Sequence, residues 1–363
     1  MTYMIRDTAS FEPVRLGLIG SGWMGAFHAE SAASRIPGVT LEAIADPATS
    51  PALELADRLG IGKVTGDAAD LFADPQIDGV IIAAPARFHA ALIAAAARAG
   101  KHIFCEKPAA RTLEELSGAL AAVETAHVEF QVGFNRRFAA DFATAKQDVE
   151  AGRIGEPRLL RSVTRDPGVA AGIANAERIP QWTIFLETLI HDFDTLNWFN
   201  EGAHPVEVHA VADALVEPNL KDQGFLDTAV VTIRYSNGAI AVAEANFSAL
   251  YGYDVRGEVF GSTGMVTAGT VQEDSALAFT ADGINARTSR LNIELFHDAY
   301  VAEIAHFAAA IGSRRDGQTP PQVKAPGGAD AYCALALALA CIESVETGAP
   351  VHLTDSEPKT AGA

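Results

Sequence analysis

The chain has 363 residues, of which 49% are hydrophobic, and a formal net charge of −19. This length exceeds what one hydrophobic core usually supports, so we expect two domains. The excess of acidic residues disfavours a nucleic acid or an anionic membrane as a partner. The sequence shows neither an apolar run of membrane-spanning length nor the apolar core of a signal peptide, so we expect a cytoplasmic protein.

Residues 14–46 have the order of elements that a dinucleotide-binding βαβ unit requires. An apolar run enters Gly20, a helical stretch follows Gly25, and a second apolar run ends at Asp46. Gly20 would allow the tight turn, Gly22 the close approach of a pyrophosphate, and Gly25 the packing of helix on strand. The alternative is a glycine-rich turn with a purely structural role.

Asp46 indicates which dinucleotide would bind. It lies 21 residues beyond Gly25, at the end of the second predicted strand, where a carboxylate can accept hydrogen bonds from an adenosine ribose. The same charge would repel a 2′-phosphate, and no Arg or Lys follows in residues 47–50. We therefore expect NAD rather than NADP as the cofactor.

The first third of the chain alternates predicted strands and helices. Short β-branched runs such as residues 80–84 are typical of strands that are buried on both faces of a parallel sheet. The predicted strands are 15–20, 40–45, 79–83, 102–106 and 129–133, and the predicted helices are 25–36, 50–59, 86–99 and 113–126. This alternation predicts a doubly wound α/β sheet, the Rossmann architecture.

The pattern changes after Gly133, where period-two strands and a hairpin signal at 236–238 predict an α+β domain with a mainly antiparallel, open sheet. The predicted strands begin near 157 and continue at 207–215, 228–235, 240–247, 253–261 and 265–269. The predicted helices are 139–151, 183–199, 296–311 and 329–347, and residues 166–180 are expected to be irregular. We expect a dinucleotide-binding domain at 1–134, a substrate-binding and oligomerisation domain at 135–354, and a disordered tail at 355–363.

Glu106, Lys107 and Pro108 follow one another at the end of a predicted parallel strand. Ligands of such sheets bind at the carboxyl ends of the strands, so Lys107 would point toward a cofactor crevice. The alternative interpretation is that Glu106 and Lys107 are solvated surface charges.

Glu187 and His191 lie four residues apart on a predicted helix and would therefore share one face. A carboxylate one turn from a histidine can orient the imidazole and stabilise its charged form, as a general base requires. A structural salt bridge or a core histidine would give the same spacing.

Seven motifs occur in an order that resembles one family, the Gfo/Idh/MocA oxidoreductases, and within it most resembles the inositol dehydrogenases and related sugar dehydrogenases. The resemblance covers residues 14 to 345. The motifs are GLIGSGWMG, ADP, IIAAPARFH, GKHIFCEKP, GFNRRF, IHDFDTLNWF and YGYDVRGEVFGSTG.

The resemblance implies NAD(P)-dependent oxidation of a secondary alcohol of a polyol or pyranose sugar, or the reverse reduction. It implies that Lys107 hydrogen-bonds the reacting hydroxyl and that His191 accepts its proton. Inositol-type members have an aspartate where this chain has Glu187, which keeps the charge but adds a methylene group. This departure puts the inositol substrate in doubt more than it does the dehydrogenation.

The remaining site expectations follow from the same motifs. The loop that the family writes TPN-x-x-H runs here from Ala84 to His89 and lacks the Thr and Asn; Arg87 could compensate. The expected cofactor contacts are Gly20, Gly22, Trp23, Met24, Gly25, Asp46, Ala84, Pro85, His89, Glu106 and Lys107. The candidate substrate contacts are Arg137, Asp166, Asn175, Trp182 and Tyr253. Arg136 and Arg137 could equally form structural ion pairs, and Trp182 could equally be a core residue.

No metal is expected, because no zinc-like ligand spacing is evident among the histidines and the three cysteines. The resemblance suggests a homotetramer or homodimer. Two alternatives remain open. One is an NAD-dependent glycosidase, which would cleave glycosides without net NADH formation. The other is a non-catalytic NAD-binding sugar sensor, which would have no need for both Lys107 and His191.

Overall fold

The computed structural model describes residues 12–168, 182–319, 321 and 323–353. They form two compact units. The first contains the described residues of 1–106, 118–131 and 301–325, and the second contains those of 107–117, 132–300 and 326–363. The longest segment of the second unit begins near the expected boundary at 134, but the chain passes between the units more than once.

The described chain contains fifteen strands and ten α-helices, besides short 3₁₀- and π-helical segments. The strands are β1 (Val14–Ile19), β2 (Val39–Ala45), β3 (Lys63–Thr65), β4 (Gly79–Ile82), β5 (His102–Cys105), β6 (Phe130–Val132), β7 (Pro157–Arg165), β8 (Pro205–Asp213), β9 (Thr228–Tyr235), β10 (Ile240–Asn246), β11 (Asp254–Gly261), β12 (Met265–Ala268), β13 (Leu277–Thr280), β14 (Gly283–Ala286) and β15 (Val351–His352). The helices are α1 (Trp23–Glu30), α2 (Thr49–Leu59), α3 (Ala69–Ala73), α4 (His89–Arg98), α5 (Leu113–Ala126), α6 (Ala140–Glu150), α7 (Ile190–Phe199), α8 (Asn292–Leu295), α9 (His297–Arg315) and α10 (Gly328–Thr347).

The first unit contains a six-stranded sheet in the order β3-β2-β1-β4-β5-β6. Its pairs from β3 to β5 are parallel, and every residue of β4 is buried. Strands covered on both faces and joined by helices are the doubly wound arrangement that the sequence predicts. Because β3 and α3 have only three and five residues, the sequence pattern did not reveal them.

The core of the first unit takes side chains from distant parts of the chain. Leu16 and Phe104 on the sheet belong to one buried cluster with Ile304, Phe307 and Ile311 of α9. Apolar burial of this kind contributes about 25 cal/mol per Å². The end of α9 is therefore part of the dinucleotide-type unit, although the sequence places it in the second domain.

The second unit contains a seven-stranded sheet in the order β12-β11-β7-β10-β9-β8-β15. The β7–β10 pair is parallel, and the other pairs described are antiparallel. Buried and exposed residues alternate along β9, so one face packs and the other is open. The prediction of a mainly antiparallel open sheet in an α+β unit is confirmed.

The helix predicted at 183–199 is divided by its hydrogen bonding. A π-helical segment, Ile184–Leu189, precedes α7.

The β13–β14 hairpin was not predicted, because all eight of its residues are exposed and show no alternation in burial. Most of the irregular stretch expected at 166–180, and the tail expected at 355–363, lie outside the described residues.

Helix α10 is apolar enough, by length and composition, to cross a membrane, with a mean hydropathy of 1.5 over its best window. Half of that window is buried, and the helix contacts α7 and β8 within the second unit. Leu335, Leu337 and Ala338 are at most 1% exposed. These contacts identify α10 as a core helix of this unit.

Candidate functional site

The glycine-rich turn after β1 has two crowded positions and one open position. Gly20 has φ +96°, and a Cβ there would lie 2.6 Å from the Ala83 carbonyl oxygen. A Cβ on Gly25 would lie 2.0 Å from the Gly20 oxygen. By contrast, a Cβ on Gly22 would meet no atom of the described chain within 4 Å. The turn is therefore tightly packed except at Gly22, where space remains.

That open space lies at the N-terminus of α1, whose N-cap residue is Gly22. The first N–H groups of a helix have no partner within the helix and carry the positive end of its dipole. Trp23 is 57% exposed and Met24 is partly buried, so the first turn faces outward. A phosphate group fits this combination of free donors and missing side chain.

Asp46 is fixed beside the same turn. Its Oδ2 accepts hydrogen bonds from the Ser21 N–H (2.7 Å) and hydroxyl (2.8 Å), and its Oδ1 accepts one from the Ala48 N–H (2.8 Å). Burial would raise the pKa of Asp46, but these hydrogen bonds hold it below its usual value. The carboxylate is thus ionised, and Oδ1 can accept a further bond from a ribose hydroxyl.

The loop after β4 is closed by His89, whose side chain is buried (1% exposed) at the start of α4. His89 Nε2 lies 2.6 Å from the Ala84 carbonyl oxygen. The imidazole therefore links the start of α4 to the loop that contains Ala84 and Pro85. The guanidinium of Arg87 lies over the Phe88 ring, 4.5 Å from its centroid. Arg87 is therefore stacked on an exposed ring, and among the described residues it makes no contact by which it replaces the missing Thr and Asn.

Lys107 and Glu187 form an ion pair within the second unit. The Lys107 ammonium donates to the backbone carbonyl of Glu187 (3.0 Å) and to its Oε2 (3.1 Å). Their side chains are 19% and 35% exposed. The lysine is thus oriented by two acceptors from one residue.

His191 follows the π-helical segment at the start of α7. Its Nδ1 is buried without a hydrogen-bond partner among the described residues, and its ring packs edge-on against Phe134 with centroids 6.1 Å apart. Burial, then the Lys107 ammonium and the Arg136 guanidinium, lower the pKa of His191 well below its ordinary value. The imidazole is consequently neutral at physiological pH and can accept a proton.

The expected pairing of Glu187 with His191 is wrong. The Glu187 carboxylate bonds to Lys107, whereas His191 Nδ1 has no partner in the described chain. The physical reason is the π-helical segment, in which hydrogen bonds run from i to i+5 and an α-helical i,i+4 pair is not preserved. Glu187 therefore orients the cation instead of the base.

Arg136 and Asp192 anchor α7 beneath His191. Arg136 Nη1 lies 2.8 Å from Asp192 Oδ1, with side chains 4% and 0% exposed. The hydroxyls of Ser162 and Thr164 donate to the same carboxylate at 2.5 and 2.7 Å. Asp192 was not among the predicted site residues; its signal in the sequence is an acid next to His191 on a predicted helix.

Arg137 was a candidate substrate contact, and the structure corrects this. Its guanidinium is 4% exposed and binds Asp194 through two hydrogen bonds (2.9 and 2.6 Å) and Asp330 through a third (2.7 Å). Burial raises the pKa of Asp194 to about 6 despite this partner, so the carboxylate is still ionised at neutral pH. Arg137 is a structural ion-pair residue, the alternative that its sequence context left open.

Asp166 and Tyr253, also candidate substrate contacts, lie together. The Tyr253 hydroxyl donates to Asp166 Oδ2, and burial followed by the Asp166 charge raises the pKa of Tyr253. Trp182 has a positive φ of 67°, and its ring centroid is 6.3 Å from that of Phe185. Asn175 lies outside the described residues.

The side chain of Glu106, which was expected to contact a cofactor, is buried within the first unit. It is 7% exposed, and its Oε1 lies 2.7 Å from His28 Nε2. The Glu303 carboxyl lies in the same place, and the potential ligand atoms of all three residues are within 4.8 Å of one another. This group was not found in the sequence, where its members stand far apart.

Burial raises the pKa of the Cys105 thiol, which precedes Glu106. Cys105 is therefore not a reactive thiolate.

Comparison with known proteins gives matches along most of the chain. A family model described as an oxidoreductase family with an NAD-binding Rossmann fold matches residues 14–134. A model of the GFO/IDH/MocA C-terminal domain matches residues 142–267. The chain is 39% identical over 343 residues to an uncharacterized oxidoreductase, YrbE, of Bacillus subtilis, covering 94% of this chain and 97% of that protein.

Two further proteins have names that state a substrate. A myo-inositol 2-dehydrogenase of Thermotoga maritima is 35% identical over 343 residues, which cover 94% of this chain and 99% of that protein. A crystal structure of scyllo-inositol dehydrogenase from Lactobacillus casei, with bound NAD(H) and scyllo-inositol, superposes with a TM-score of 0.87 at 29% identity. It covers 94% of this chain and 99% of that one.

Proposed function

The chain belongs to the GFO/IDH/MocA family of NAD-binding oxidoreductases, and from this we propose that it oxidises a secondary hydroxyl of an inositol or a closely related polyol to a ketone. It is an oxidoreductase that acts on CH–OH groups and uses NAD. The observation that carries the proposal is the pairing, in one unit, of an oriented cation and a neutral buried imidazole, Lys107 and His191.

The residues of the first unit fit the cofactor. The open position at Gly22 and the first N–H groups of α1 would hold the pyrophosphate, and Asp46 would hold the adenosine ribose. When bound, NAD supplies the nicotinamide carbon that accepts hydride from the alcohol. The ionised Asp46 disfavours a 2′-phosphate by like-charge repulsion, which supports NAD over NADP.

His191 supplies the base in this proposal. Its depressed pKa keeps the imidazole neutral, so it can take the hydroxyl proton as the alcohol becomes a ketone. Lys107 supplies the electrostatic stabilisation, since its ammonium opposes the negative charge that develops on the reacting oxygen. Glu187 holds the lysine in place and is a positioning residue.

Asp166 and Tyr253 are the best-supported substrate contacts, because they form a hydrogen-bonded pair in the second unit. The Tyr253 hydroxyl oxygen and the Asp166 carboxylate offer acceptors, which suit the many hydroxyls of a cyclic polyol. We retain Trp182 as a candidate that could contact an apolar sugar face. Arg137 is not proposed as a substrate contact, because its guanidinium donors bind the carboxylates of Asp194 and Asp330.

The family resemblance also suggests a homo-oligomer, and the open sheet of the second unit supports this. Paired residues on four adjacent strands form one exposed apolar row: Ile240 pairs with Leu159, Leu159 with Phe260, and Phe260 with Met265. Each is 45% to 52% exposed. A contiguous apolar row of this kind is typical of a subunit interface. Ile240→Glu should dissociate the oligomer in light scattering; unchanged mass would argue against this interface.

The experiment that tests the function measures NADH formation with NAD and a panel of myo-inositol, scyllo-inositol, other cyclic polyols, aldoses and aryl glycosides. We expect turnover of at least one inositol. Lys107→Met and His191→Asn should lower kcat by about 100-fold or more while NAD affinity by calorimetry is retained. Cleavage of an aryl glycoside without NADH formation would favour a glycosidase. Binding of NAD and of a polyol or sugar of the panel without any turnover would favour a sensor. Either result overturns the proposal.

A further inference from the structure

The first unit contains a carboxyl group that the proposed chemistry does not use. Glu303 lies on α9 and is 0% exposed, and neither of its carboxyl oxygens has a hydrogen-bond partner among the described residues. An ionised carboxylate buried in this way costs several kcal/mol, because it loses its hydration without gaining a cation or donor. Glu303 therefore requires an explanation.

The surroundings of Glu303 show which state is stable. Glu106 and His28 lie beside Glu303, and the potential ligand atoms of the three side chains are within 4.8 Å of one another. Glu106 already interacts with His28 Nε2 at 2.7 Å. Two adjacent buried carboxyl groups do not both ionise, so one of them retains its proton.

The proton belongs on Glu303. Glu106 lies beside His28, which can donate to it, whereas Glu303 has no such donor in the described chain. Burial, followed by the charge of Glu106, raises the pKa of Glu303 well above its ordinary value. A protonated carboxyl group has one O–H to donate, and the acceptor available in this cluster is Glu106.

We propose that Glu303 is a neutral carboxylic acid whose O–H, directed toward Glu106, fixes the Glu106–His28 pair and thereby positions the chain where β5 ends and Lys107 follows. Glu303 contacts neither the substrate nor the reacting atoms, so it is a positioning residue. Its effect on catalysis rests on the proposed function of Lys107. The charge state of the cluster does not rest on it.

A cation bound by the three residues is the competing explanation. A divalent ion would neutralise two carboxylates and use His28 as a nitrogen ligand. The 2.7 Å separation of His28 Nε2 and Glu106 Oε1 is that of a hydrogen bond. Two ligands of one metal at about 2.0–2.2 Å usually lie farther apart than this. The geometry thus favours a proton over a metal ion.

Two variants of similar size separate the possibilities. Glu303→Gln keeps the shape and one N–H donor of a neutral acid, whereas Glu303→Met fills the space without a donor. We expect Glu303→Gln to retain kcat within about twofold and Glu303→Met to lower it about tenfold, the latter a loss of about 1.4 kcal/mol. Thermal unfolding and NAD calorimetry on both variants show whether each is folded.

Each of four results would overturn the proposal. Equal loss of kcat in both variants would mean that Glu303 works as an anion or a ligand, and stoichiometric metal in the purified wild type that Glu303→Gln lacks would identify the ligand. Retention of kcat in both variants would mean that Glu303 only fills space. If the wild type oxidises no polyol, infrared difference spectra of wild type and Glu303→Gln still test the cluster. They should show a protonated carboxyl band at neutral pH, and its absence would exclude the neutral acid without reference to activity.

Discussion

The ammonium of Lys107 is held by the side chain and the backbone carbonyl of the same residue, Glu187, at 3.1 and 3.0 Å. One acceptor depends on the identity of residue 187 and the other does not. A substitution at this position therefore loosens the lysine without releasing it. It also tests the departure of this chain from the aspartate of inositol-type relatives.

Glu187→Ala should lower kcat about tenfold, because the ammonium loses its charged acceptor but keeps the carbonyl. Glu187→Asp should retain most activity and shift the relative kcat/KM values across a panel of inositols. Stability should change by less than about 1 kcal/mol, since the pair is partly exposed. Steady-state kinetics and thermal unfolding measure both effects, and Glu201→Ala is the matched control. Unaltered kinetics in Glu187→Ala would remove Glu187 from the site.

Gly22 and Gly25 offer a matched pair of substitutions. Gly22→Ala should fold normally, because the new Cβ meets no described atom within 4 Å, but it should weaken NAD binding by obstructing the pyrophosphate. Gly25→Ala should destabilise the protein itself, because its Cβ would lie 2.0 Å from the Gly20 oxygen. NAD calorimetry and thermal unfolding distinguish the two. Full NAD affinity in Gly22→Ala would show that the pyrophosphate binds elsewhere.

Asp46 should control the choice between NAD and NADP. Asp46→Ser removes the charge that repels a 2′-phosphate, so the ratio of kcat/KM for NAD to that for NADP should fall by about tenfold or more. Asp57→Ser, an exposed acid on the neighbouring helix α2, is the control and should leave the ratio unchanged. An unaltered ratio in Asp46→Ser would mean that another residue discriminates between the cofactors.

The depressed pKa of His191 makes stability depend on pH in a defined direction. Below its ordinary value of 6.5, the unfolded chain binds a proton at this histidine and the folded chain does not. Stability is therefore lost as the pH falls from 6.5 toward the folded pKa, by about 1.4 kcal/mol per pH unit.

His191→Gln should remove this contribution, so its free energy of unfolding should fall less steeply than that of the wild type below pH 6.5. Asp194, whose pKa is raised to about 6, gives the opposite slope between 3.8 and about 6. Because both proteins contain Asp194, it cancels in the difference. Urea titrations at several pH values provide the measurement, and parallel curves would show that His191 ionises normally.

The buried pair Arg136–Asp192 should be the most sensitive anchor of α7. Asp192→Asn leaves a buried guanidinium without its counter-charge and should cost about 3–5 kcal/mol. Arg136→Met combined with Asp192→Leu should recover part of this loss, since neither charge is then buried alone. Arg287→Ala, in an exposed pair, should have no measurable effect. Urea denaturation gives all three values; a small effect of Asp192→Asn would mean that water reaches the pair.

The parts of the fold and site that could be predicted were those with local signals. The turn at Gly20 to Gly25 and the acid at Asp46 lie within a single βαβ unit, so their spacing alone predicts their placement. The boundaries of α5 and β9 agree with the sequence for the same reason. The π-helical segment before His191 could not be predicted, because the same apolar pattern fits an α-helix.

The contacts that the sequence did not reveal join residues that are distant along the chain. The sequence did not show the ion pairs of Arg137, because its partners Asp194 and Asp330 lie 57 and 193 residues away. Arg137 was therefore predicted as a substrate contact. The local motif of Glu106 likewise does not show its contact with His28, which stands 78 residues earlier. Spacing along the chain does not indicate which carboxylate meets which cation in a buried network.

The return of α9 to the first unit sets a limit on how this protein can be divided. A fragment that ends at residue 134, where the family model of the first domain ends, would lack Ile304, Phe307 and Ile311. Leu16 and Phe104 would lose these partners from their apolar cluster. The segment that the family model matches is thus shorter than the compact unit, which includes residues 301–325. An isolated NAD-binding half would need the distant helix supplied, by fusion or as a separate peptide.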